Sequence, residues 1–135
     1  MEDPRKRELD KLITSFLYLK ETKMFHIRQI KYENMCLYQS VVNKEMNHKK
    51  IDHLGKISDY KNLLKETQRK MKKMQSTIQK FQELNSELKD TMGFQLATKL
   101  IEENTAMEEN LLNADTEEML SNLEDLKIAE QSSPS

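Results

Sequence analysis

Residues 57–92 read ISDYKNLLKETQRKMKKMQSTIQKFQELNSELKDTM, and their apolar side chains recur three and four apart. With Ile57, Leu64, Met71, Ile78, Asn85 and Met92 at position a of a seven-residue repeat, Tyr60, Thr67, Met74, Phe81 and Leu88 fall at d. A seven-residue period held over this length keeps one seam facing a partner only when helices supercoil, so the expectation is a coiled coil. The expected partner-binding seam is Ile57, Tyr60, Leu64, Met71, Met74, Ile78, Phe81, Asn85, Leu88 and Met92. Asn85 is polar at a, where a lone Asn costs stability and fixes register. Lys56, Lys61, Lys70 and Lys89 flank the seam at e and g without an acid among them. A parallel second copy would gain no ion pairs there, which favours an acidic helical partner.

Composition points the same way. The chain of 135 residues is 36% hydrophobic and 33% charged, with no Trp, two Gly and two Pro, and its mean hydropathy is −0.84. A globular domain carries roughly 45–50% apolar residues. Good helix formers abound while turn residues are scarce, so long helices that bury one stripe each are expected. The fold class is therefore all-α, an elongated long-helix coiled coil.

The net charge of −1 hides a split. Residues 1–93 hold 20 Lys and Arg against 13 acids, and residues 94–135 hold Lys99 and Lys127 against ten. Within the acidic part Ala97, Leu100, Asn104, Met107, Leu111 and Ala114 form a second 3,4 pattern, out of phase with the first. If Gly93 is a left-handed stop with Phe94 packed on Leu88, the acidic helix folds back on the basic one as a C-terminal helical hairpin. That register sets Leu88 near Ala97, Phe81 near Asn104 and Ile78 near Met107.

Toward the N-terminus, Asp3 before Pro4 predicts an N-cap and a helix start. Leu9, Ile13, Phe16, Met24, Ile27, Met35, Tyr38, Val42 and Met46 read as one apolar face, widened by Leu12, Leu19, Ile30, Leu37 and Val41. Ile13, Met24, Met35, Met46 and Ile57 are spaced by eleven, which suggests straighter packing than heptads give. The breadth of the face, with Phe16, Tyr18, Phe25, Tyr32 and Tyr38, points to contact with more than one helix. Around residues 47–56 the pattern thins, and Gly55 suggests a bend. His48 and His53 are five apart and face different sides of a helix, so they read as a solvated joint and no metal ligand is assigned. The organisation expected is an amphipathic helix over 1–54, heptads over 55–92, an acidic helix over 93–114, a short amphipathic helix over 115–130 and a disordered tail over 131–135.

In that short helix Asp115 and Glu118 have capping-box spacing. Leu120, Leu123, Leu126 and Ile128 in LSNLEDLKI resemble the leucine-rich nuclear export signal, whose apolar side chains dock in a receptor groove. A helix docked on its own protein produces the same spacing.

No Gly-rich phosphate loop, nucleophile elbow or repeated metal-ligand spacing occurs, so no catalytic, cofactor-binding or metal residue is assigned. Cys36 is alone and reads as a small buried hydrophobe in a reducing compartment. No membrane span is expected, and the N-terminal residues lack the apolar core of a signal peptide. The expectation is a non-enzymatic intracellular assembly subunit, cytoplasmic or nuclear, that binds helical proteins as a homo- or hetero-oligomer. The rival reading is a nucleic-acid or chromosome-associated protein that uses the basic clusters at 5–7 and 65–73.

Overall fold

The computed structural model describes residues 3–110, and these are helical apart from two reversals. Helix α1 is Pro4–Val42, α2 is Asn47–Leu84, and a 3₁₀ turn, Ser86–Leu88, leads to α3 over residues 92–110. No strand occurs among the described residues.

The start of α1 is as expected. Asp3 caps it by accepting from the Arg5 backbone N–H at 3.0 Å, and Pro4 takes a first-turn position that needs no donor. Its end is not. The chain turns at Asn43–Met46, ahead of the 47–56 joint, and Gly55 lies inside α2 with no atom within 4 Å of an added Cβ. The stop at Val42 uses Lys44 at φ 52°, with Lys44 N–H donating to the Val41 carbonyl and Glu45 N–H to the Ser40 carbonyl at 2.9 Å. This is a Schellman arrangement built without glycine. The Ser40 hydroxyl ties it to the Glu45 carboxylate at 2.9 Å.

Helix α2 returns antiparallel to α1. At one end Arg5 donates to Asn85 Oδ1 at 3.2 Å and pairs with Glu87, and at the other His53 Nδ1 meets Glu33 Oε2 at 2.8 Å. The second reversal falls at Asn85–Thr91. Gly93 does not stop a helix, because no glycine has positive φ and Gly93 sits in the first turn of α3. Asn85 caps α2 instead, its side-chain amide donating to the Phe81 carbonyl at 2.8 Å. From there α3 runs back along α2. Gln82 donates to the Phe94 carbonyl at 3.1 Å and to Thr98 at 3.0 Å, and Gln68 donates to Glu108 at 2.7 Å. The register centres on the 3₁₀ turn near Leu88, not on Gly93, so the pairing of Phe81 with Asn104 is displaced.

All three helices share one core of Leu9, Ile13, Phe16, Met71, Ile78, Phe81, Leu88, Ala97, Leu100 and Ile101, with Leu12, Leu19, Met74 and Phe94 half-buried around it. In α1 the inward row repeats every seven residues: Leu9, Phe16, Lys23, Ile30 and Leu37 are all buried. The eleven-residue series is overturned, since Met35 and Met46 are exposed and Met24 is only half-buried. A period of 3.67 and one of 3.5 separate progressively along a helix, which carries Met35, Tyr38 and Val42 onto the outer surface.

Candidate partner-binding surface

The predicted seam of α2 closes on its own chain. Ile57, Met71, Ile78, Phe81 and Leu88 are buried, and Tyr60, Leu64, Met74 and Asn85 are half-buried. Met92 departs from the row and is 88% exposed, because the repeat is broken by the turn that precedes it. In this chain the seam is occupied by α1 and α3.

Polar groups complete the inward rows. Lys23 is fully buried and donates to Asn104 Oδ1 at 2.9 Å and to Glu108, while the second oxygen of Glu108 takes the Gln68 amide. One carboxylate thus joins all three helices. Lys20 lies 4.0 Å from Glu103, so acids of α3 meet lysines of α1 as well as the Gln68 amide of α2. Glu33 is buried against His53, which places His53 in a helix-to-helix contact, and His48 is exposed. His26 Nδ1 is buried without a hydrogen-bond partner. Among the described residues no group of three His, Cys, Asp or Glu is placed to hold a metal.

The outer surface of α1 carries the feature most suited to recognition. Tyr18, Phe25 and Tyr32 are seven apart and 71%, 47% and 56% exposed. Ser15, Thr22, Gln29 and Cys36 alternate with them at three- and four-residue spacing, and Gln39 follows. No charge interrupts this strip in a chain whose residues are one-third charged. Exposed Met35, Tyr38 and Val42 widen its distal end. Cys36 is half-buried, short of full burial. Its hydrogen bond with Tyr32 is the main cause that raises the Tyr32 phenol above its ordinary pKa.

The basic clusters fare unequally. Arg5 is held by Asp3 and Glu87, and its own pKa rises because both carboxylates accept from it. Asp3 falls from 3.8 to about 2 through its hydrogen bonds from Arg5, and Glu87 is lowered by the same guanidinium. Lys65, Arg69, Lys70, Lys72 and Lys73 are exposed on the outer side of α2, where Glu66 lies 3.8 Å from Lys70. Leu120, Leu123, Leu126 and Ile128 lie outside the described residues, as do the helix expected over 115–130 and the tail over 131–135.

The heptad of α1 escaped sequence reading because Lys23, His26, Glu33 and Ser40 occupy inward positions that hydropathy assigns to water. A strict count of seven from Leu9 through Phe16, Ile30 and Leu37 was the available signal. Comparison with known proteins adds no guide: no family model, curated protein or solved structure matches the chain. Among the described residues no helix is long and apolar enough to cross a membrane.

Proposed function

We propose that this protein is a non-enzymatic assembly subunit within an intracellular complex, its helices packed in coiled-coil fashion into a rod that presents the outer face of α1 to a helical partner. The observation that carries the reading is the uncharged strip Tyr18, Phe25 and Tyr32. Three aromatic rings left in water at heptad spacing are costly to solubility and well suited to a second seam, since a partner helix buries them with little loss of rotamer freedom. The seam of α2 contributes indirectly, by holding α1 straight so that the strip stays in line.

The test is made in extract of the cells that produce the protein. The chain elutes in gel filtration above monomer mass together with another helical protein, and Phe25→Asp with Tyr32→Asp returns it to monomer mass at unchanged helix content and Tm. A wild-type chain that elutes as a free monomer, or a variant that stays in the assembly, overturns the reading. The rival rests on the exposed cluster at 65–73 alone, because Arg5 is engaged in ion pairs. Nucleic-acid binding that survives physiological salt and is lost on changing Lys72 and Lys73 to Glu would favour it.

A further inference from the structure

Helix α3 covers one side of the α1–α2 pair. Lys20 and Lys23 of α1 and Gln68 and Gln82 of α2 all reach toward it. The rows of Tyr18 and Ser15 lie about 160° around α1 from the two lysines, at 3.6 residues per turn, and exposed Leu63 lies as far around α2 from the row of Gln68 and Gln82. Since α1 and α2 run antiparallel and α3 marks the same side of both, the strip and Leu63 open together on the opposite side. The contacts of Arg5 with Asn85 and of Glu33 with His53 set Leu63 at the level of Phe25. Along the outer edge of the strip stand Glu21 and Arg28, seven apart and both exposed. Neither is in an ion pair among the described residues.

We propose that the helix seated on this strip is α1 of a second copy of the chain, packed antiparallel about a two-fold axis. This rests on the strip being a helix-binding face, as argued above, and names its occupant; the paired rods are then the unit that joins other helical proteins. The strip is its own complement. Rings alternate along it with slimmer polar residues, in the order Ser15, Tyr18, Thr22, Phe25, Gln29, Tyr32. With the axis between residues 23 and 24, Tyr32 of one copy faces Ser15 of the other, Phe25 faces Thr22 and Tyr18 faces Gln29, so each ring enters a gap and every contact is made twice. The same axis brings Glu21 of each copy to Arg28 of the other. A slip of seven residues sets Arg28 against Arg28 in one direction and Glu21 against Glu21 in the other. A parallel pairing puts the two Glu21–Arg28 edges on opposite sides and forms no such pair. Charge thus selects one orientation and one register, while the rings supply the contact area. Leu63 of each copy stands close to the axis on the side where the two α2 helices lie, and adds apolar surface there.

Sedimentation equilibrium of the purified full chain, in reducing buffer and over a range of concentrations, tests the pairing. The wild type reaches twice the monomer mass, and Phe25→Asp with Tyr32→Asp stays at monomer mass with unchanged helix content. Glu21→Arg weakens self-association at least about tenfold, and adding Arg28→Glu restores it to within about threefold, because the exchanged charges again face one another. A wild type that stays monomeric when pure, yet in extract joins an assembly that the Phe25 and Tyr32 variant leaves, overturns the second copy and keeps the strip as the seat of another helical protein. A monomer in both settings overturns the strip as well. A dimer that survives the Phe25 and Tyr32 changes overturns the choice of face. One that Glu21→Arg leaves unweakened, or that the exchange of charges does not restore, overturns the antiparallel register.

Discussion

Lys44 shows what a single backbone angle costs. At φ 52° its Cβ crowds the following carbonyl, a strain of about 1 kcal/mol or more for an L-residue with a side chain. The turn holds because the Schellman bonds and the Ser40–Glu45 contact require it. Lys44→Gly relieves the strain at the one position where glycine is the natural choice, and chemical denaturation should show a gain of about 0.5–1 kcal/mol. Asp3 is a second residue whose effect has a defined sign. Its folded pKa of about 2 lies below the ordinary 3.8, so its contribution is fully present above that ordinary value and is lost as pH falls toward 2. Glu87, also lowered by Arg5, adds to the same window from its own ordinary value downward. Asp3→Ala should therefore lower Tm at neutral pH, and the difference from wild type should shrink toward pH 2. A gap that persists in acid would separate Asp3 from Arg5.

For the elements, the buried row of α2 was legible because all of its members but Thr67 are apolar, Ile57, Met71, Ile78 and Phe81, and spacing suffices when an inward row is nearly all greasy. The heptads of α1 were not, since its middle turns hide Lys23, Glu33 and Ser40 beneath partners that lie far off in sequence or across the turn. The reversals misled for a related reason. Glycine predicts a stop by its freedom at positive φ, yet here a lysine takes that angle, and both glycines are placed in helices. The α1 strip, by contrast, was visible as aromatic residues, but its direction depended on the missed period. Gly55 offers a direct check on where the helix runs. In a helix interior with open space at its Cβ, Gly55→Ala should raise stability by about 1 kcal/mol. A bend there would make the same substitution neutral or harmful, and circular dichroism melts distinguish the two.

At the scale of the whole molecule, one end of the bundle and its middle differ in how they are tied. The end that contains Leu9, Phe81 and Leu88 has three helices around an apolar core, whereas the crossing at Lys23 relies on a buried ammonium and its acceptors. Removal of one partner from a buried pair leaves the other charge uncompensated and costs about 3 kcal/mol or more, and replacement of both by apolar groups recovers much of it. Glu108→Ala should accordingly destabilise by about 3 kcal/mol in urea melts, and Lys23→Met with Glu108→Leu should restore most of the loss. Equal stability of Glu108→Ala and wild type would mean that Lys23 reaches water.

Lys23 also sets a rule of timing. Its acceptors follow it by 81 and 85 residues, so a chain emerging from its N-terminus has long completed α1 and α2 before Asn104 and Glu108 exist. Until then the ammonium has no acceptor from α3 to enter the core with, and desolvating it bare is prohibitive. Until α3 packs, the Lys23 side of the paired long helices lies open to water, like a latch without its keeper. The ammonium loses its water only as α3 docks, so the same event that brings Ala97, Leu100 and Ile101 into the core also supplies the acceptors that Lys23 needs.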